Sequence, residues 1–93
     1  MPQTRTQNLE NPENAIKSLL VISLREFKNE EIAALNLALN GFGRVSSYSL
    51  AFNKAREFEF INSDGTVASG LKDLLLDALA FEINSRVSAG TFN

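Results

Sequence analysis

The chain has 93 residues, of which 44% are apolar and 22% are charged, and its net charge is -2. This length and composition predict one small globular domain rather than a disordered chain. Histidine, cysteine and tryptophan are absent, so the usual general bases, thiol nucleophiles and ligands of zinc, iron–sulfur and haem sites are missing. The composition therefore predicts a protein that is not an enzyme and that holds no metal or cofactor.

The sequence shows no signal for export or membrane insertion. Residues 1–11 are polar, lack the apolar core of a secretory signal and predict a flexible tail. The longest apolar stretches, residues 19–22 and 74–76, are far shorter than a membrane span. We therefore expect residues 12–90 to form a single compact domain in the cytoplasm, without contact to a membrane.

The first structural signal is a helix start at residues 11–13. Asn11 can cap a helix, Pro12 suits its first position, and Glu13 complements the positive end of the helix dipole. Apolar residues then recur at helical spacing, namely Ile16, Leu19, Leu20, Leu24 and Phe27. The alternation within residues 19–27 is also compatible with a strand, but we favour a helix because the cap signal is more specific.

A second helix is predicted to begin at Asn29. Glu30 and Glu31 follow in its first turn, and Gly41 is a typical stop. The apolar face of this helix consists of Ile32, Leu35, Leu39 and Phe42. This spacing predicts that one side of the helix packs into the core.

From Val45 onward the apolar period changes to two, which is typical of strands. We predict an antiparallel hairpin with an odd-numbered loop, at residues 54–56 or 53–57, because this register sets Phe52 opposite Phe58. The core face of the hairpin would consist of Tyr48, Leu50, Phe52, Phe58 and Phe60. The outer face would consist of Ser47, Ser49, Ala51, Glu57, Glu59 and Ile61. A turn at residues 62–65 could lead into a short third strand at 66–68.

The last predicted helix runs from Gly70 to about Val87, with Ser69 as its cap. Its apolar face consists of Leu71, Leu74, Leu75, Ala78, Leu79, Phe81, Ile83 and Val87. Since this face is wider than a narrow stripe, the helix is expected either between a sheet and other helices or partly in a self-association surface.

These elements together predict an α+β fold. Two N-terminal helices precede an antiparallel hairpin or three-stranded sheet, and the C-terminal helix packs on the aromatic face of that sheet. The alternative order is β-α-β-β-α, with residues 19–27 as an extra strand. Either sheet has few strands and open edges, which favours self-association as a homo-oligomer.

Two groups of residues could suggest chemistry, but an ordinary structural role explains each of them better. Asp73 and Asp77 lie one helical turn apart and could hold Mg²⁺, although an exposed polar helix face predicts the same residues. The glycines within residues 41–44 follow a helix, whereas phosphate-binding glycine loops precede one. We therefore expect no metal site and no phosphate-binding loop.

The predicted order of helix, strands and helix resembles that of double-stranded RNA-binding domains in topology alone. Those domains begin their last helix with basic residues, where this chain has Gly70, Leu71, Lys72 and Asp73. The net charge of -2 also disfavours a phosphate backbone as a ligand. Nucleic acid is thus not the expected partner, and weak nucleic-acid binding is kept only as an alternative.

The function that the sequence favours is that of a small, acidic protein-interaction module. It would inhibit, adapt or regulate a larger protein or complex, as phage-encoded inhibitors of host systems do; that analogy is one of composition alone. The predicted contact surface is the outer sheet face: Ser47, Ser49, Ala51, Glu57, Glu59 and Ile61. Small side chains on this face would permit the close approach of a partner.

An alternative function is an oligomer that binds a small anionic ligand. Residues 32–56 contain no acidic side chain. They do contain Arg44, Lys54 and Arg56, which together with Tyr48 could converge on an anion at a subunit boundary.

Overall fold

The computed structural model describes residues 12–92 as a mainly helical fold. The helices are α1 (Pro12–Leu24), α2 (Asn29–Gly41), α3 (Phe52–Glu57) and α4 (Lys72–Ser88). Extended structure within residues 12–92 is limited to two isolated antiparallel bridges, Arg44 to Thr66 and Ile61 to Val67, and these residues form no sheet. The predicted α+β fold and its β-α-β-β-α alternative are therefore wrong.

Helix α1 forms where the start signal predicts it, beginning at Pro12. Its buried residues Leu20 and Leu24 lie one turn apart, and Phe27 is buried just beyond its end. This apolar edge packs mainly against α4, so tertiary contact stabilises the helix over the alternative strand. The predicted Asn11 cap and the predicted tail at residues 1–11 lie outside the described residues.

Helix α2 confirms the second predicted helix, including its end at Gly41. The Lys28 N–H donates to Glu31 Oε1 (2.7 Å), which satisfies one backbone donor at the helix start. Ile32, Leu35 and Leu39 are buried as predicted. The prediction for the fourth residue of that face, Phe42, is wrong, because its ring lies on the protein surface.

The predicted hairpin is absent, and turns occupy its first half. The Tyr48 N–H donates to Ser46 Oγ (3.2 Å), and the Ala51 N–H donates to Ser49 Oγ (3.3 Å). Serine hydroxyls that bind the backbone two residues onward stabilise turns at the expense of a strand ladder. Consequently Tyr48 and Leu50, which were predicted for the core, are exposed.

The second half of the predicted hairpin is helix α3 and the turn that ends it. The Glu59 N–H donates to the Arg56 carbonyl (3.0 Å) and the Phe60 N–H donates to the Ala55 carbonyl (2.8 Å). These are the two bonds of a Schellman motif, with Glu59 in the left-handed region at φ 64°. The two-residue spacing of Phe58 and Phe60 therefore reflects a helix end and not a strand.

This unusual backbone position of Glu59 leads to a stability prediction. A left-handed conformation costs a residue with a Cβ about 1–2 kcal/mol, and glycine avoids that cost. Part of the gain is offset by the greater freedom of glycine in the unfolded chain. We expect Glu59→Gly to raise the free energy of unfolding by about 0.5 kcal/mol in urea denaturation.

The matched control is Glu57→Gly, which places glycine at the last residue of α3. Glycine lowers helix stability there, so we expect a loss of about 0.5–1 kcal/mol. Equal losses in the two variants would contradict the left-handed assignment of Glu59.

The turn at residues 62–65 is confirmed. The Gly65 N–H donates to the Asn62 carbonyl (3.0 Å), and the Asn62 N–H donates to the Thr66 carbonyl (2.8 Å). The chain then returns toward residues 44 and 45, where the Val45 N–H donates to the Gly65 carbonyl (2.8 Å). Thr66 and Val67 take part in the two isolated bridges, so the predicted third strand is reduced to these contacts.

Helix α4 begins at Lys72, later than predicted, and Leu71 occupies its cap position without a side-chain hydrogen bond. The predicted Ser69 cap is therefore wrong. Among the predicted apolar face, Leu75, Ala78 and Leu79 are buried, but Phe81 and Val87 are exposed. The helix packs against α1 and α2 and not on a sheet. No helix within residues 12–92 is long and apolar enough to cross a membrane.

The guanidinium of Arg86 joins the ends of three helices. Its Nε donates to Glu82 Oε2 (2.7 Å), and its Nη1 donates to Asn29 Oδ1 (2.8 Å). Its Nη2 donates to the carbonyls of Leu24 (3.0 Å) and Phe27 (2.7 Å). Glu82 is buried and Arg86 is nearly so, with side-chain exposures of 7% and 13%. Arg86 thereby donates hydrogen bonds to two carbonyls at and just after the end of α1, to a side chain at the start of α2 and to the carboxylate on α4.

Candidate protein-binding groove

A groove of about 480 Å³ lies on the outer side of α2, and we refer to it as the α2 groove. Its lining consists of Ala34, Leu37, Ala38, Phe42, Arg44, Ser46, Ser47 and Ser49. Helix α2 supplies the first three of these side chains, and the segment that follows the helix supplies the others. Ala34 and Ala38 also pack against the core, so the groove lies along a partly buried edge of α2.

Large apolar side chains in the lining of the α2 groove, and next to its lining residues in sequence, are not covered. Leu37 and Phe42 line it, while Tyr48 and Leu50 alternate in sequence with the lining residues Ser47 and Ser49. The four side chains are between 69% and 96% exposed. Single exposed apolar residues are common on protein surfaces, but two large exposed ones in the lining of one groove are typical of an interaction site.

The sequence pattern of α2 explains why Leu37 is exposed. Ile32, Leu35 and Leu39 follow helical spacing and turn toward the core, where they are buried. Leu37 lies off that spacing and therefore projects on the opposite side of the same helix, where it is exposed. An apolar residue off the helical period indicates an exposed apolar side chain. The predicted contact surface did not include Leu37.

The electrostatics of the α2 groove depend on Arg44, the only charged residue in the part of its lining that residues 12–92 supply. Arg44 Nη2 donates to the Asp64 carbonyl (3.0 Å). The Asp64 carboxylate accepts hydrogen bonds from Thr66 Oγ1 (2.6 Å) and from the Thr66 N–H (3.0 Å). These bonds lower the pKa of Asp64, and the nearby Arg44 charge adds to the effect. The Asp64 carbonyl thus orients Arg44, and this is the one hydrogen bond of the Arg44 side chain within residues 12–92, so other N–H donors of the guanidinium could bind a ligand.

The residues predicted for the outer sheet face are divided between surface and core. Ser47 and Ser49 line the α2 groove. Glu57 and Glu59 are exposed at the end of α3. The remaining two residues, Ala51 and Ile61, are buried. Since the sheet is absent and two members lie inside the protein, the six residues do not form one exposed surface.

Among the residues predicted for an anion site, Lys54 is engaged near the α1–α2 connection. Its Nζ donates to the Glu26 carbonyl (2.8 Å) and lies 3.7 Å from Glu31 Oε1. The same Nζ lies 5.8 Å from the centre of the Phe27 ring. Lys54 therefore pairs with an acid from the first third of the chain.

The other three predicted anion ligands have different surroundings. Arg56 lies over the Phe52 ring, with 5.7 Å between its guanidinium carbon and the ring centre. Tyr48 is almost fully exposed, and Arg44 lines the α2 groove. The structure thus places Arg44 in the α2 groove, leaves Tyr48 exposed and gives Lys54 and Arg56 separate aromatic contacts.

The carboxylate pair on α4 has an ordinary electrostatic partner. Asp77 Oδ2 lies 3.3 Å from Lys17 Nζ on α1. Within residues 12–92, no group of three or more acidic, histidine or cysteine side chains is arranged to hold a metal ion.

The chain matches no known protein family, and it shows no significant similarity to a curated protein or to a solved structure. Any functional conclusion must therefore come from the geometry and chemistry of its own surface.

Proposed function

We propose that the protein is a non-enzymatic interaction module that binds a segment of a larger cytoplasmic protein in the α2 groove. The exposure of Leu37 and Phe42 in the lining of this groove carries the proposal. Tyr48 and Leu50, which neighbour the lining serines in sequence, are exposed as well. Covering these side chains with a partner would remove apolar area from water and stabilise the complex. By occupying a site on a larger protein, the module would act as an inhibitor, adaptor or regulator.

The chemistry of the α2 groove defines the segment that it would bind. Apolar side chains on one face of a helix would contact Leu37 and Phe42, which lie on either side of the half-buried Ala38. A carboxylate on that helix would receive charge-assisted hydrogen bonds from Arg44. The hydroxyls of Ser46 and Ser47 can bind polar groups at the edge of the groove. An amphipathic helix with one acidic residue beside its apolar face satisfies all of these groups.

Selection from a displayed library of random peptides tests this proposal with a defined probe. Peptides selected on the wild-type protein should combine helically spaced apolar residues with an acidic residue. Leu37→Glu should weaken their binding at least about tenfold, because it places a charge in the apolar contact. Arg44→Glu should weaken binding of the acidic peptides and improve binding of versions with lysine in place of the acid. Calorimetric titration measures each affinity.

The matched control is Ile22→Glu, which introduces the same charge at an exposed isoleucine of α1, outside the α2 groove. This variant should bind the selected peptides as the wild type does. Equal weakening by Ile22→Glu and Leu37→Glu would contradict the assignment of the site. If inorganic phosphate bound to the wild type but not to Arg44→Gln, and no peptide bound, the small-anion alternative would replace the proposal.

A further inference from the structure

A second groove, of about 510 Å³, lies between α1 and α4, and we refer to it as the α1–α4 groove. Its apolar lining includes Val21, Ile22 and Phe81, and its charged lining residues are Lys17, Arg25 and Asp77. It lies on different helices from the α2 groove and shares no lining residue with it. A surface separate from the proposed partner site is therefore available.

The apolar side chains of the α1–α4 groove are incompletely covered. Ile22 and Phe81 in the lining, with Leu19 on the same helix as Ile22, are between 55% and 64% exposed. Ile22 and Phe81 are not part of the buried core, although α1 and α4 contribute other residues to it. Burying such side chains in a second interface would provide an apolar driving force.

The two helices that form this groove run side by side in the same direction. Lys17 Nζ lies 3.3 Å from Asp77 Oδ2 near one end of the groove. Toward the other end, the Leu24 carbonyl accepts a hydrogen bond from Arg86. Helices α1 and α4 are therefore parallel along this groove.

Charge is distributed unevenly along the α1–α4 groove. The Lys17 end contains the Asp77 carboxylate, and Asp73 lies one turn before Asp77, in the first turn of α4. The opposite end contains Arg25, which forms no ion pair within residues 12–92. Arg25 is about two helical turns, or ~12 Å, from Lys17, and Val21 lies midway between them.

We propose that a second copy of this chain occupies the α1–α4 groove as a symmetric dimer. A two-fold axis perpendicular to α1 near Val21 exchanges the two ends of the groove. Arg25 of each copy then approaches the end of the other copy where the two carboxylates of Asp77 and Asp73 outnumber the single ammonium group of Lys17, and Ile22 and Phe81 are covered. The surface is complementary to itself in charge as well as in apolar character.

The α2 groove lacks this self-complementarity. Among residues 12–92, Arg44 is the only charged residue in its lining, so a two-fold contact there would bury two arginines and no carboxylate. Self-association therefore belongs to the α1–α4 groove, whereas the α2 groove favours a partner with an acidic residue. The dimer does not depend on the proposed function, since the two surfaces use different residues.

Sedimentation equilibrium of the full chain tests the dimer. We expect the wild type to form dimers at micromolar concentration and Ile22→Glu to remain monomeric under the same conditions. Arg25→Glu should raise the dimer dissociation constant about tenfold or more, because it replaces an attraction with a repulsion. Leu37→Glu, which places the same charge in the α2 groove, should leave the dimer unchanged.

Circular dichroism verifies that the variants keep the helix content of the wild type, as expected for substitutions at exposed positions. A wild type that stays monomeric at high micromolar concentration would overturn the proposal and indicate a different protein as the occupant. Unaltered dimerisation in both Ile22→Glu and Arg25→Glu would also overturn it, because the contact would then lie elsewhere.

Discussion

Replacing Arg86 with alanine should lower the free energy of unfolding by about 3–5 kcal/mol. The substitution leaves the buried Glu82 carboxylate without its cation, since Arg86 Nε is its ion-pair partner at 2.7 Å. It also removes the donors to the carbonyls of Leu24 and Phe27 at the end of α1. Each unsatisfied buried group adds its own desolvation cost. Urea denaturation followed by circular dichroism measures the loss.

Two further variants separate the effect of the Arg86 hydrogen bonds from that of a lost cation. Arg86→Lys keeps the charge but lacks the planar fork that reaches four acceptors, so it should recover only part of the stability. Arg56→Ala removes an exposed arginine from the Phe52 ring and should cost only about 0.5–1 kcal/mol. A loss in Arg86→Ala no larger than that in Arg56→Ala would contradict the described contacts.

Gly65→Ala should lower the free energy of unfolding by about 3 kcal/mol or more, because two costs coincide at this buried position. Gly65 has a φ of 88°, which a residue with a Cβ adopts only with strain. A Cβ there would also overlap the carbonyl oxygen of Val45. Val45 cannot move away freely, since its own N–H donates to the Gly65 carbonyl (2.8 Å). Thermal and urea denaturation both measure this effect.

The matched control for this substitution is Gly70→Ala. Gly70 has a similar φ of 72°, but a Cβ at this position meets no atom within 4 Å among the residues described. Only the backbone strain applies, so the expected loss is about 1 kcal/mol. If the two alanine variants were equally stable, the close approach of Val45 to Gly65 would be disproved.

The sequence predicted the helices wherever a start signal and a helical apolar period coincided. Helices α1 and α2 both meet this condition, and both exist near the predicted positions. Helix α4 was also predicted, although its start was placed too early. Such signals are local, since capping and one-sided burial depend mainly on residues a few positions apart.

The hairpin prediction failed because the same apolar pattern arises from a different local structure. Phe52 and Ala55 are three residues apart and bury one face of the short helix α3. Phe58 and Phe60 stack on Phe27, with ring centres 5.6 and 5.8 Å away, because the left-handed Glu59 between them turns both rings to the same side. Glycine is the usual sequence signal for such a helix end, and a glutamate at this position does not predict one.

The Arg86 cluster shows what a sequence alone does not contain. Glu82 and Arg86 are visible as a pair one turn apart, which normally means a weak surface interaction. Their importance comes from the carbonyls of Leu24 and Phe27, which are distant in sequence and are brought close only by the α1–α4 contact. Main-chain acceptors have no residue-type signature, so no pattern could reveal them.

The candidate site was predictable only in part, for a related reason. Arg44, Ser47 and Ser49 were singled out from the sequence, but as members of a sheet face or an anion site and not of a common groove. Leu37 was omitted, and Phe42 was assigned to the core. Both residues line the α2 groove. A prediction that assigns the contact surface to a sheet does not include them.

Mapping the binding surface by nuclear magnetic resonance tests the central claim most directly. An isotope-labelled sample would be titrated with a peptide selected on the wild-type protein, and the amide chemical shifts would be followed residue by residue. The α2 groove predicts that the largest shifts fall within residues 34–49, with smaller changes at residues 17–25 and 77–81. Large shifts confined to residues 17–25 and 77–81 would contradict the claim and assign partner binding to the α1–α4 groove.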